Sequence, residues 1–291
     1  MWYEPFQSII RQDEPLAMHT WFQVGGMAEF YAQPESSRQL AELVKAASEA
    51  QVPIRLLGEG SNVLIRDDGV SGLVINLDSP AFEGITIEGT RVRAAAAAKL
   101  SRVITTAVHV GLGGLEDLIG IPGTLGGALH LHATANMVKI SRFLKSTLEM
   151  DFQGNILTKS AEELAAAYQD RSLNSLIILE ATFELEQENP KDLAKQLQKR
   201  WILKKAIQPM SFQCCGRIFK NPPGGSAGDY IDRAGLKGAR MGGAVVSERH
   251  ANYIIAEPEC TSEDVLRLID LVRDQVHKRM DIQLELDLEI W

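Results

Sequence analysis

Three short stretches of the chain combine residue types and spacings that chemistry can use. Gly58-Glu59-Gly60-Ser61-Asn62 stands between two apolar runs, Ile54 to Leu57 and Val63 to Ile65. Glycines so placed let successive backbone N–H groups converge on an anion such as a pyrophosphate. A plain β-turn is the alternative, and the dinucleotide fingerprint G-x-G-x-x-G is absent because Val63 holds the sixth position. Between Gly111 and Gly127 lie seven glycines and a proline, a density that excludes a simple helix or strand and brings backbone close to something. Gly224-Gly225-Ser226-Ala227-Gly228 fits G-x-S-x-G, with His250 as a candidate base. Pro222-Pro223 fall where the strand feeding such a turn must end, so coincidence is the favoured reading. His130 and His132 at period two would share a strand face. They lack a third ligand nearby, and no metal is assigned. The vicinal Cys214 and Cys215 have Arg217 close by to lower a thiol pKa, yet buried small hydrophobes are the expectation and no catalytic role is given them.

Elements of mixed type must position these stretches. Leu40, Leu43, Val44 and Ala47 recur at helical spacing after Ser36-Ser37, with Pro53 beyond the end. Short strands are expected at 54–57, 63–65 and 73–77, a hairpin at 85–93 around Gly89-Thr90, and a helix through Leu100, Val103, Ile104, Ala107 and Val108. Strands return at 147–152 and 177–185, with a helix at 162–168 between them and a basic helix at 190–205 after them. A domain boundary is expected near Gln208-Pro209. Beyond it, Thr261-x-x-Asp264 opens a helix from Ser262 to Met280, and Leu284, Leu286, Leu288 and Ile290 alternate with acidic residues as a terminal strand.

Composition bounds the partners. The 291 residues carry 30 Lys+Arg against 38 Asp+Glu, so 30 − 38 = −8, the wrong sign for a general binder of phosphate backbones and an argument against nucleic acid. Three cysteines, two of them adjacent, make neither a disulfide framework nor a C-x-x-C metal site. Met1 to Pro15 has no basic n-region followed by an apolar stretch, and no run approaches the roughly 18 apolar residues of a membrane span. A cytoplasmic protein without membrane contact is expected; oligomeric state is not legible.

Several stretches together resemble one family. They are His19-Thr20-Trp21 with Gly25-Gly26, Gly58 to Asn62, and Gly120-Ile121-Pro122-Gly123-Thr124-Leu125-Gly126-Gly127. Further on come Phe219-Lys220-Asn221-Pro222, Ser226-Ala227-Gly228, Ala234-Gly235-Leu236-Lys237-Gly238, and Gly242-Gly243-Ala244 running through Val246-Ser247-Glu248 to His250-Ala251-Asn252. In this order they resemble UDP-N-acetylenolpyruvoylglucosamine reductases, flavoenzymes of peptidoglycan precursor synthesis. The resemblance implies an α+β fold: a two-lobed FAD-binding domain, lobes 1–79 and 80–208, and a C-terminal α+β substrate-binding domain, 209–291. It implies FAD as cofactor, NADPH as reductant and the enolpyruvyl ether of UDP-N-acetylglucosamine as substrate. Gly58 to Asn62 and Gly120 to Gly127 would hold the cofactor; Lys220, Asn221, Ser247, His250 and Asn252 would face the sugar nucleotide.

In that family an Arg and a Glu stabilise the carbanion-like enol formed by hydride transfer, and a Ser or Cys delivers the proton. Residue by residue, this chain departs. The Arg position, in Tyr168-Gln169-Asp170-Arg171, holds Gln169; the donor position, in Gly216-Arg217-Ile218-Phe219, holds Arg217; the Glu position in the terminal strand holds Asp287. A guanidinium stays protonated and is a poor acid. Two outcomes follow: a relocated constellation, with Arg171 or Arg217 supplying charge, Asp287 assisting and Tyr168 or water donating the proton, or an inactive paralogue that binds a UDP-sugar. On the flavin side, Ala94 to Ala98 and Met137-Val138 stand where the family has glycines, and their side chains are expected to fill part of the pocket.

Overall fold

The computed structural model describes residues 1–135, 137–164, 176–209 and 213–291. The chain divides into two compact units that interleave in sequence: Met1–Gln12, Phe30–Gly58 and Gly72–Lys204 form the first, and Asp13–Glu29, Glu59–Ser71 and Lys205–Trp291 the second. The strands β1 (Ile10–Pro15), β2 (Met27–Ala32) and β5 (Val70–Asn76) each run across a division point.

In the first unit, helix α1 (Ser37–Glu49) starts where Ser36 Oγ accepts the Gln39 N–H, and its stripe of Leu40, Leu43, Val44 and Ala47 is fully buried. That stripe packs in one core with Leu73, Ile75, Phe82, Met150 and Leu179. Strand β3 (Ile54–Leu57) pairs parallel with β5, in a sheet of order β1-β2-β5-β3. A second core lies on a five-stranded antiparallel sheet. Its strands are β6 (Ile85–Glu88), β7 (Arg91–Ala95), β11 (Leu144–Asp151), β12 (Ile156–Ser160) and β13 (Leu176–Glu184), in the order β12-β11-β13-β7-β6. Helix α2 (Leu100–His109) seals it with Leu100, Val103, Ile104 and Ala107 against Val92 and Phe183. Helix α4 (Pro190–Ile207) follows the sheet, buries Leu193, and ties Arg200 to Asp117 at 2.8 Å.

The glycine-dense segment departs from expectation. Gly126 and Gly127 are helical, within the short α3 (Leu125–His130) capped by Thr124. What requires the glycine is crowding: a Cβ on Gly126 would lie 3.0 Å from the Ala96 Cβ. His130 therefore ends a helix and His132 sits in the following turn at φ +52°, not on a strand; no metal-binding group of His, Cys, Asp or Glu exists among the described residues. Asn136 falls outside the described residues.

In the second unit, helix α6 (Ser262–Met280) opens with the reciprocal Thr261–Asp264 capping box and buries Val265, Leu268, Ile269, Val272 and Val276. These pack with Ile218, Phe219, Ile231 of α5 (Ala227–Arg233), and the antiparallel strands β15 (Arg240–Met241), β16 (Ala244–Val246) and β17 (Ile254–Ala256). Phe22, Val24 and Leu64 enter the same core from the early segments of the unit. The terminal alternation buries Leu284 and Leu288 as expected. Only Glu289–Ile290, β18, forms a ladder, parallel to β4 (Val63–Leu64), with a single bridge between Phe219 and Leu286 before it. Among the described residues no helix is long and apolar enough to cross a membrane.

Candidate functional site

In the first unit, Gly58 meets Thr124 of the second glycine-rich stretch. A Cβ on Gly58 would stand 2.8 Å from Thr124 Oγ1, so a side chain there would occupy the place where the loops touch. Gly58 C=O accepts from Asn76 Nδ2. Farther along the loop, Gly60 C=O accepts from Trp21 N–H, Ser61 C=O from Gly216 N–H and Asn62 C=O from Glu289 N–H. In a trans peptide the next N–H points opposite to the carbonyl, so fastening these oxygens turns the Ser61 and Asn62 N–H groups away from the framework. That is the arrangement of an anion nest. Gly60 has φ +62°, and a Cβ there would run into the His19 carbonyl and lie 2.6 Å from Thr20 Cα. The His19-Thr20-Trp21 stretch is thus the floor on which the loop rests. Gly25 and Gly26 have a related duty, passing against Ile65 and the Asp67–Gly69 turn.

The start of α3 is already occupied. Leu125 and Gly126 N–H groups donate to the Ala98 and Ala96 carbonyls, and Gly127 N–H to Thr124 Oγ1. In the alanine run, Ala94 and Ala98 belong to the α2 core and Ala96 lies against Gly126, while Met137 is 97% exposed at φ +64°.

A second cluster forms around Arg217 in the second unit. Its guanidinium Nη2 lies 3.2 Å from Asp287 Oδ2, so two positions that depart from the family pattern pair with each other. Backbone fixes both ends: Asp287 N–H donates to Ile218 C=O, and Asn62 Nδ2 donates to Asp287 C=O at 2.7 Å. Asn252, 1% exposed, accepts the Phe219 N–H through Oδ1 and donates to the Phe219 C=O through Nδ2, clamping the strand that follows Arg217. Ser247 Oγ accepts from Arg249 N–H, shaping the turn that carries His250. It also lines an open cavity of about 610 Å³ with Val246, Glu248 and Arg249. His250 Nδ1 accepts from Asn252 N–H, which leaves Nε2 to carry the proton of the neutral ring. Gly228 must lack a side chain because a Cβ would sit 2.8 Å from His250 Cε1. Ser226 is the cap of α5, accepting from Asp229 N–H, and behaves as no nucleophile. Lys220 stands off, exposed and 3.6 Å from Glu285, and Asn221 Oδ1 accepts from Ala227 N–H. Tyr168, Gln169 and Arg171 lie outside the described residues. Burial pushes the Cys215 thiol well up, so the cysteine pair is inert packing. Sequence reasoning passed over Tyr253, whose ring meets His250 edge-on at 5.0 Å. Its signal was a phenol two residues from Ala251 in the recognised motif.

Burial also pushes His250 down, the Arg217 and Lys237 charges adding to it against Asp229, and burial with Lys139 pushes His132 down to about 4. Both rings stay neutral in the fold while the unfolded chain takes up protons near pH 6.5, so their stabilisation is complete above 6.5 and is lost as pH falls toward 4. Urea midpoints should fall steadily from pH 7 to 5, and His132→Gln should flatten that decline. An unchanged slope in the variant would contradict the assignment.

A mixed α+β chain with a glycine-built nest and a separate charged cluster has the make-up of a two-part flavoprotein, and comparison with known proteins agrees. The FAD binding domain family matches residues 28–158, and the C-terminal domain family of UDP-N-acetylenolpyruvoylglucosamine reductase matches residues 208–291. The chain is 36% identical to the UDP-N-acetylenolpyruvoylglucosamine reductase of Rhodopirellula baltica over 99% of its length and 94% of that protein. It is 34% identical to the Listeria innocua reductase over 97% and 94%. The crystal structure of the Thermus caldophilus UDP-N-acetylenolpyruvylglucosamine reductase superposes with a TM-score of 0.82 at 30% identity, covering 97% of this chain and 99% of that one. The chain belongs to the UDP-N-acetylenolpyruvoylglucosamine reductase family and carries its FAD-binding domain.

Proposed function

We propose that this protein is a cytoplasmic reductase that uses FAD and NADPH to convert the enolpyruvyl ether of UDP-N-acetylglucosamine to the lactyl ether of UDP-N-acetylmuramate. The observation that carries this is a loop whose Gly60, Ser61 and Asn62 carbonyls are tied back to the framework, in a chain matching the family over nearly its full length. Lobes 1–79 and 80–208 are assigned to the cofactor and residues 209–291 to the sugar nucleotide.

The donor set fits the flavin's pyrophosphate: the Ser61 and Asn62 N–H groups would receive its oxygens. When bound, FAD supplies hydride transfer from NADPH to the enolpyruvyl group. The chain's own residues do the rest. Arg217 puts a positive charge toward the electron density that builds beside the substrate carboxylate. Asp287 holds the guanidinium in place, while Ser247, His250 and Lys220 address the UDP-sugar. The relocated constellation is favoured over the inactive one because Arg217 and Asp287 are not independent losses; they form a new ion pair at the same place.

Purified protein should hold FAD and oxidise NADPH only when the enolpyruvyl sugar nucleotide is present. A protein that cannot be loaded with FAD, or that leaves the sugar unchanged, would overturn the reading. Gly58→Val should weaken FAD binding by about tenfold, since displacing a loop by a few tenths of an ångström costs about 1–2 kcal/mol. Flavin titration of the variant checks this, and an unaltered affinity would remove Gly58 from the contact.

A further inference from the structure

The reduction needs a proton as well as a hydride, and Arg217 at the family's donor position cannot give one. From the side chains gathered around the Arg217–Asp287 pair, we propose that the phenol of Tyr253 is this protein's proton donor. The assignment rests on the reductase reading above.

Four observations carry it. Tyr253 stands next to the segment that carries Arg217: Ile218 N–H donates to Asn252 C=O, and the Asn252 amide grips both backbone groups of Phe219. The ring is held from both sides of its own backbone: Tyr253 N–H donates to His250 C=O, and Tyr253 C=O accepts from Ser247 N–H. His250 packs against it edge-on, and the side chain is 8% exposed, so the phenol keeps one orientation. Its hydroxyl makes no hydrogen bond to another protein group among the described residues and is not sealed from solvent, so it can give up and regain a proton. His250, the other titratable neighbour, is held neutral with Nδ1 as an acceptor from backbone, and the Nε2–H of a neutral imidazole is a weaker acid than a phenol. The Cys214 and Cys215 thiols are buried, the latter with its pKa pushed well up.

The chemistry balances. Hydride from the reduced flavin adds to one carbon of the enolpyruvyl C=C, and the π electron pair moves to the other carbon, next to the carboxylate. That carbon takes the proton from Tyr253 Oη, breaking the O–H bond and forming C–H. The phenolate left behind is favoured by the Arg217 charge and regains a proton from solvent water. Burial holds the phenol up to about 12, so it stays protonated throughout neutral pH. It remains a far stronger acid than a carbon next to a carboxylate, and Arg217 acts to bring it down. Arg217 lowers its pKa, Cys215, Cys214 and Asp287 raise it, and the His250 ring packs against it.

Tyr253→Phe keeps the ring and the His250 contact and removes only the hydroxyl. We expect kcat to fall about 10²–10⁴-fold, the usual range for a lost general acid. Affinity for the enolpyruvyl sugar nucleotide, by calorimetry, should stay within twofold. A readout independent of turnover is the Tyr253 Cζ resonance of ring-labelled protein, assigned by its absence in the variant; it should shift when the enolpyruvyl sugar nucleotide binds. A wild type that turns over beside an equally fast Tyr253→Phe variant overturns the assignment alone. A wild type that consumes no substrate while holding FAD overturns the reductase reading and this assignment with it. A resonance indifferent to the sugar nucleotide places the phenol away from the substrate and also overturns it.

Discussion

Arg217→Ala should lower kcat by about 10²–10³-fold while leaving the flavin band of the purified protein unchanged. The size follows from what a preorganised cation is worth against charge that develops in the transition state, about 3–4 kcal/mol. It should far exceed the stability lost with the ion pair, because Arg217 and Asp287 are partly exposed, 38% and 27%, and pairs of that kind contribute about 1 kcal/mol or less. Arg217→Lys separates the two effects. It keeps the charge but not the planar fork that faces Asp287, so it should recover part of the rate. Steady-state kinetics with thermal melts of all three proteins check this. A rate in Arg217→Ala within a few fold of wild type would mean that the cation acts elsewhere.

Asn252→Ala should destabilise the second unit by about 2–4 kcal/mol. The side chain makes both backbone polar groups of Phe219 whole, and Phe219 is itself 1% exposed, so truncation leaves a donor and an acceptor buried without partners. The bridge of Phe219 to Leu286 lies on the same short segment and would loosen with it, carrying Arg217 away from Asp287. Denaturant midpoints measure the first effect and kcat the second. A variant as stable as wild type would show that water replaces the amide.

Much of this architecture is legible in local sequence because its cause is local. The spacing of Leu40, Leu43, Val44 and Ala47 locates α1, which ends at Glu49, four residues before Pro53, and Thr261 with Asp264 fixes the start of α6. The elements that escaped depend on partners far along the chain. The terminal alternation reads as one strand, yet its ladder extends only as far as β4 reaches it, and no residue near Leu284 reports that. Gly126 and Gly127 read as breakers; they are helical because Ala96 and Ala98 supply acceptors for the first turn and Ala96 leaves no room for a side chain at 126. The interleaving of the two units arises from strands that continue across the division points, a property of tertiary pairing.

The candidate site divides in the same way. Glycine loops announce themselves because φ > 0 and close approach restrict the residue type, as at Gly60. The Arg217–Asp287 pair does not, since ion pairing at 3.2 Å joins residues whose separation in sequence says nothing of contact. Read singly, each departure from the family pattern is a missing group. Seen together, Arg217 and Asp287 are one arrangement, with Asn252-Tyr253 on the neighbouring hydrogen-bonded segment.

The most direct measurement is anaerobic: reduce the bound flavin with one equivalent of NADPH, remove the oxidised nicotinamide, and add the enolpyruvyl ether of UDP-N-acetylglucosamine while following flavin absorbance. Return of the oxidised flavin band, with one equivalent of lactyl ether formed per flavin, is the predicted result. A flavin that stays bleached with the sugar nucleotide bound would contradict it.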